Sequence, residues 1–364
     1  MKVLLVAGTW NLIKNEDGTF GKKSGLIEKM CYFLLLEKDL DIDYFNGGNY
    51  EDLKSIVEKA KDYEVIFWMA NVPNELPKVR DVKKVNPYAI VIGSKRNHYN
   101  IETNSMEYTF VEVLNKSLLQ RNNLTIEFSK LKDTKNFKML LFDPLGTSWY
   151  DGYDLNELVK NMMDRIRFIM TTRRERTFDI PENHIVHDNE EFFQYVRNVA
   201  EIFHKTIEHA DGVTRFLGNA SFRGENEIIY VSRRDVDKAF ISKETFVPSY
   251  LDKDNKVYYY GEFKPSKDTV VQTRLYKMLP NINYILHSHC YAKDGYFTQT
   301  PVPCGAVDEI DEILEVIKEK YNNNFNLNYY KINLKGHGCI IFGNSLEDMK
   351  QTTYITRHLP EYLN

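Results

Sequence analysis

The sequence predicts an α/β protein in two domains, 1–178 and 189–364, and three observations carry that reading. The first half alternates short apolar runs with amphipathic stretches, the pattern of a parallel sheet with helices on both faces, Rossmann-like or flavodoxin-like and doubly wound. Residues 172–189 then break the hydrophobic pattern with Arg173-Arg174-Glu175-Arg176 and Pro181, which marks a linker. Beyond it the apolar runs resume around a short one, 282–286, that ends in His287-Ser288-His289. A chain of 364 residues is long for one domain and comfortable for two, each able to bury a full core.

In order along the first half, strands are expected at 3–7, 41–45, 65–69, 89–92, 125–128 and 139–142, with helices at 25–36, 50–61, 110–121 and 155–171. Phe67 and Trp68 read as core. Ligands on such sheets gather at the carboxyl ends of the strands. Those ends carry Gly8-Thr9-Trp10-Asn11, 70–74, Gly93-Ser94-Lys95-Arg96-Asn97-His98 and Asp143-Pro144-Leu145-Gly146-Thr147-Ser148. These are residues of a nucleotide or phosphate site and equally residues of turns. No G-x-G-x-x-G follows the first strand and no P-loop occurs, so neither dinucleotide nor P-loop chemistry is indicated.

A net charge of −4 with mixed acids and bases leaves no basic footprint, which sets nucleic acid aside as a partner. No apolar run approaches the roughly 20 residues of a membrane span, and the first residues lack a secretory pattern. Four cysteines, Cys31, Cys290, Cys304 and Cys339, are scattered without C-x-x-C spacing, as in a reducing compartment. The expectation is a soluble, cytoplasmic protein with a small-molecule partner.

In a strand, residues i and i+2 face one way, so His287 and His289 present two imidazoles to the same side. A third histidine, His337, stands between Gly336 and Gly338 ahead of the strand-like 340–343, and Asp268 closes the turn before a helix-like stretch at 270–279. Three imidazoles and a carboxylate suit a catalytic zinc site with one position left for substrate or water. The loop 218–223 adds an amide and a hydroxyl able to hold a phosphate or an enolate. His184 and His187 read as part of the linker or a cap, and His204 and His209, five apart, do not share a helix face.

These segments resemble the class II aldolase/adducin family. The matching motifs are G-N-A-S-F-R at 218–223, Y-V-S-R-R-D-V-D-K at 230–238, K-P-S-K-D-T at 264–269, H-S-H at 287–289, P-V-P-C-G at 301–305 and G-H-G-C-I-I-F-G at 336–343, in the family's order. The resemblance implies a class II aldolase-like α/β/α domain over 189–364. His287, His289 and His337 correspond to the metal ligands, and Asp268 to an acidic residue acting as ligand, base or both. Asn219 and Ser266 fall where the family holds the phosphate and the enediolate oxygen. The implied cofactor is a divalent metal, Zn2+ first, the implied substrate a phosphorylated sugar, and the implied assembly a homo-oligomer.

Two departures bear on the site. Where many members read S-x-x-G-V-D-K, Asp235 replaces the glycine and Arg233 and Arg234 precede it. The arginines either rebuild the anion site, since guanidinium grips phosphate bidentately, or form a solvated turn. The stretch between His289 and Pro301 is short for the family, and Tyr291, Asp294 and Tyr296 are the local substitutes for an acid or base supplied there, each expected to be structural. The expected reaction is aldol cleavage or condensation through a metal-stabilised enediolate. Alternatives are 4-epimerisation or dehydration on the same site, and an adducin-like binding module without metal chemistry.

Overall fold

A computed structural model describes residues 1–7, 30, 33, 34, 36–46, 50–69, 79–132, 136–206, 218–234 and 236–355. The chain divides between Phe168 and Ile169 into two compact units.

The first unit runs β1 (Lys2–Ala7), β2 (Asp41–Asn46), α1 (Tyr50–Lys59), β3 (Val65–Met69), α2 (Val79–Val85), β4 (Ile90–Asn100), β5 (Ser105–Met106), α3 (Phe110–Gln120), β6 (Leu124–Lys130), β7 (Lys138–Phe142), β8 (Ser148–Gly152) and α4 (Leu155–Thr171). The sheet order is β2-β1-β3-β4-β6-β7-β8, parallel from β2 through β6 and antiparallel beyond it. β3 is apolar at every position because it is buried throughout, as parallel strands covered on both faces must be. Leu53 and Ile56 of α1 and Val79 and Val82 of α2 pack on Leu4, Val6, Ile66 and Trp68 from the sheet. Asp154 starts α4 by accepting the backbone N–H groups of Asn156 and Glu157.

Two of the expected rims have a different structure. Gly93 through His98 are not a loop: β4 continues to Asn100 and pairs with β6 from Ile92 to His98. The polar residues there alternate along a strand whose ladder outlasts its apolar segment. The stretch 143–148 is a tight turn, with the Asp143 carboxylate accepting from Leu145 N and Thr147 N. So short a connection permits only an antiparallel partner, which is why β8 runs against β7. The helix α2 has no counterpart among the expected elements. Most of the expected helix at 25–36 and the rims at 8–11 and 70–74 lie outside the described residues.

The second unit runs β9 (Thr177–Ile180), α5 (Glu190–Thr206), β10 (Asn219–Arg223), β11 (Ile229–Ser232), β12 (Phe246–Leu251), β13 (Val257–Tyr260), α6 (Thr269–Met278), β14 (Tyr284–Ser288), β15 (Tyr291–Ala292), β16 (Tyr296–Phe297), α7 (Asp308–Lys320), β17 (Tyr329–Leu334), β18 (Gly338–Gly343), α8 (Leu346–Lys350) and β19 (Tyr354–Ile355). Nine strands form one sheet in the order β16-β17-β18-β14-β10-β11-β12-β13-β9. It is antiparallel except for the outermost pair at each edge.

Alternation along the strands sends side chains to two separate cores. On one face Phe192, Phe193 and Val196 of α5 meet Phe222, Tyr230, Phe246, Leu286 and Ile341. On the other, Val271 and Leu275 of α6 and Ile310, Ile313 and Ile317 of α7 meet Val231, Ile285, Ile340 and Phe342. This is an α/β/α sandwich.

The expected linker belongs to this unit. Thr177–Ile180 is the edge strand β9, parallel to β13, and Gly261 N donates to Ile180 O at 3.0 Å. Arg173 forms ion pairs with Asp308 and Asp311. Charges and proline interrupt a hydrophobic pattern at a half-solvated edge strand as effectively as in a linker, so the sequence signal does not separate the two.

Candidate metal centre

β14 carries the site because of its register. Asn219 of β10 stands opposite His287, and Ile340 and Cys339 of β18 stand opposite His287 and Ser288. Ile285 belongs to the core under α6 and α7, so period-two alternation sends His287 toward the same two helices. The third histidine arrives through a close approach of backbones. Gly338 has φ 136°, and a Cβ there would lie 1.9 Å from the Ser288 carbonyl oxygen, so only glycine lets β18 start against β14 and bring His337 in. Ring centroids are 4.6 Å apart for His287 and His337, 5.2 Å for His287 and His289, and 5.5 Å for His289 and His337. One ligand atom from each converges, all within 4.8 Å of one another.

Hydrogen bonds fix which nitrogen faces the centre. His287 donates from Nδ1 to the Cys339 carbonyl at 2.9 Å, and His337 donates from Nδ1 to Glu309 Oε1 at 2.7 Å. Their Nε2 atoms are buried and have no hydrogen-bond partner. Burial, with His337 adding to it, pushes the His287 imidazole down to about 4, so it is neutral at neutral pH. Burial opposes protonation of His337, but Glu309 and Cys304 outweigh it and hold that imidazole well above its ordinary range.

The acidic groups come from the first turns of two helices. Asp268 immediately precedes α6, and Glu309 is the second residue of α7. Asp268 Oδ2 accepts from Asn219 Nδ2 at 2.5 Å, and Asn219 Oδ1 accepts in turn from Gln272 Nε2. Asp268 Oδ1 accepts from the Cys304 thiol at 3.4 Å. The converging ligand atoms are therefore the three imidazoles, and Asp268 stands beside them with each oxygen engaged by a neutral donor.

Ser266 Oγ accepts from Asp268 N at 3.3 Å, and Ser266 N donates to Ser232 O. Arg233 bridges to Pro265, and its guanidinium lies 3.3 Å from the Phe263 ring centroid. Arg234 N donates to Lys264 O, and its Nε is buried without a hydrogen-bond partner. Asp235 lies outside the described residues. The arginines thus run along the turn that carries Ser266. Among the described residues His184 and His187 belong to no metal cluster; they pack on Tyr260 and Tyr230, at 5.1 and 5.6 Å. His209 and the side chain of His204 lie outside the described residues. Of the polar residues after His289, Tyr291 takes a structural task, its hydroxyl accepting from Gly336 N at 3.0 Å beside His337.

Glu309 is the residue the sequence reading missed. It sits in the acidic run that opens α7, which reads as a charged helix start. A signal was present: Glu309, Ile313 and Ile317 share one face at i, i+4 and i+8, which makes Glu309 an acid on an apolar stripe. Cys304 stands in the sequence only as a member of the P-V-P-C-G motif and a scattered cysteine, and Gln272 only as part of a helix.

The family described as Class II Aldolase and Adducin N-terminal domain matches residues 197–362, a stretch that contains all three histidines, Asp268 and Asn219. The C-terminal half is a class II aldolase/adducin-family domain. No curated protein sequence matches the chain. Among solved structures, an L-fuculose 1-phosphate aldolase is 15% identical, covering 44% of this chain and 78% of its own, with a TM-score of 0.31. The L-fuculose-1-phosphate aldolase of Thermus thermophilus is 16% identical, with coverages of 43% and 81% and a TM-score of 0.29. A DNA/pantothenate metabolism flavoprotein from Streptococcus pneumoniae is 17% identical, with coverages of 46% and 97% and a TM-score of 0.33. Among the described residues no helix is long and apolar enough to cross a membrane.

Buried imidazole nitrogens left without partners are costly unless something binds them. Two such nitrogens, on His287 and His337, converging with a ligand atom of His289 fit a divalent transition metal.

Proposed function

We propose that the second unit is a metal-dependent lyase that cleaves or forms the carbon–carbon bond beside a carbonyl in a phosphorylated sugar, by aldol chemistry. The buried, unpartnered Nε2 atoms of His287 and His337 beside His289 carry this reading. These three side chains would hold the ion, zinc before other divalent metals. When bound, the metal supplies Lewis-acid stabilisation of the negative charge that develops on substrate oxygen as an enediolate forms.

Asp268 moves the proton. A carboxylate tied to the metal is a poor base, and here Asn219 and Cys304 occupy its oxygens instead, so a substrate hydroxyl can replace a neutral hydrogen bond. Asn219 and Ser266 contact the enediolate oxygen and the phosphate, with Arg233 and Arg234 beside Ser266 adding charge. Epimerisation or dehydration of a sugar phosphate uses the same residues and ranks next. The strand order β2-β1-β3-β4-β6 supports a flavodoxin-like scaffold for the first unit.

The test is metal content and turnover together. His287→Ala and His289→Ala should each lower bound zinc by about tenfold or more, measured by elemental analysis. The unaltered protein should turn over dihydroxyacetone phosphate with a short aldehyde, or a pentulose phosphate. Undiminished metal in both variants removes the site from β14. Unaltered protein that retains almost no divalent metal after gentle purification, and shows no turnover in that screen, leaves the fold as an adducin-like binding module.

A further inference from the structure

Two stripes of polar side chains face each other inside the second unit. Asp268, Gln272 and Tyr276 recur at i, i+4 and i+8 from the residue before α6, and Asn219, Ser221 and Arg223 recur at every second residue of β10. Four helical residues advance about 6 Å and two strand residues about 6.6 Å, so the stripes stay in step over three rungs. Asn219 Nδ2 donates to Asp268 Oδ2, and Gln272 Nε2 donates to Asn219 Oδ1. Ser221 Oγ and the Tyr276 hydroxyl share a hydrogen bond at 3.1 Å. Arg223 closes the ladder, donating from Nη2 to Tyr276 O at 2.9 Å and from Nε to Ile282 O at 3.0 Å. All of these residues except Arg223 are buried.

The rung beside the metal centre has a direction, and one group sets it. A carboxylate only accepts, so Asn219 turns its NH2 to Asp268 and its oxygen to α6. There the oxygen meets the NH2 of Gln272. Gln272 Oε1 is buried and has no hydrogen-bond partner. An acceptor buried unpaired lowers stability, a cost that an apolar side chain of the same length does not carry. Gln272 lies between Val271 and Leu275 of the core, where packing alone calls for no amide, and its NH2 serves Asn219.

We propose that Gln272 is a positioning residue: it locks the Asn219 amide with one N–H on Asp268 and leaves the other N–H to meet the charge that develops on substrate oxygen. The lock rests on the hydrogen bonds, and the reacting oxygen on the lyase reading above. A turned amide would instead set its own oxygen against the Asp268 carboxylate and against the developing charge. A dipole held in place before the reaction acts on charge present only in the transition state, so losing the lock lowers kcat and leaves KM nearly unchanged.

The full-length variants Gln272→Met and Gln272→Leu test this, since both remove the donor and keep most of the bulk. In proton–nitrogen correlation spectra of protein with isotope-labelled asparagine, the Asn219 amide is the signal missing from Asn219→Asp. The bond to a carboxylate should place one of its protons downfield of the free-amide position. In both variants that proton should move back toward it, with the circular dichroism spectrum unchanged. On the phosphorylated substrate kcat should fall about 10- to 100-fold, short of the loss on deleting such a donor outright, with KM within about twofold. An amide signal that stays put in both variants overturns the proposal, and so does one that moves while kcat holds. If neither variant folds, the wild-type spectrum decides, a free-amide position for Asn219 overturning the lock. Wild-type protein without turnover overturns the lyase reading alone, and the amide shift then tests the lock by itself.

Discussion

His337 donates through Nδ1 to Oε1 of Glu309 at 2.7 Å, and both side chains are buried, at 1% and 4% exposure. The carboxylate fixes the tautomer, turns Nε2 into the centre and makes the imidazole a better donor, the part an outer-shell carboxylate plays at a histidine ligand. Glu309→Gln keeps the shape and removes the charge. Its metal affinity should fall by about 10- to 100-fold in a chelator competition, with the melting temperature changed far less than by loss of a core side chain. Equal affinity in the two proteins would reduce the pair to a packing contact.

Arg233 and Arg234 lie along the turn that carries Ser266, and a charge-assisted contact to phosphate is worth roughly 1.5–3 kcal/mol, about one to two decades in affinity. The double change Arg233→Gln with Arg234→Gln should raise the KM for a phosphorylated substrate at least about tenfold and leave bound metal unchanged. Loss of the Arg233 stacking on Phe263 should cost only about 0.5–1 kcal/mol of stability. An unaltered KM would confine both arginines to the turn.

In the first unit, burial raises the Asp143 carboxyl from 3.8 to about 6, against the pull of Arg165 and its backbone donors. The folded state therefore holds its proton more tightly than the unfolded chain does. Its contribution to stability is full below pH 3.8 and is lost as pH rises through about 6. At most the loss is about 3 kcal/mol. Asp143→Asn keeps an acceptor for Leu145 N and Thr147 N and removes the titration. Urea midpoints for the first unit should then show a smaller fall between pH 4 and pH 6.5 than in the unaltered protein, and parallel profiles would contradict this.

Thr177–Ile180 pairs along its length with Val257–Tyr260, which shields its backbone from proteases. Mild digestion should leave this segment intact and joined to the second unit. Fragment masses showing early cuts inside 177–180 would mean that the edge strand opens readily.

The sequence by itself determined the alternation of strands and helices in the first half, because a parallel strand covered on both faces must be apolar throughout, as β3 is. It also determined the three histidines, since period two aims His287 and His289 one way and the glycines around His337 announce a close backbone approach. Local chemistry is enough for such features. Only the tertiary structure decided that 177–180 is an edge strand, because its pairing partner, 257–260, lies far along the chain. It alone brought Glu309 under His337, and Cys304 and Asn219 onto Asp268, from segments 28, 36 and 49 residues away. Side chains so distant in sequence meet only where β10, β14 and β18 pair and the first turns of α6 and α7 close over them, and no spacing within a motif encodes that distance.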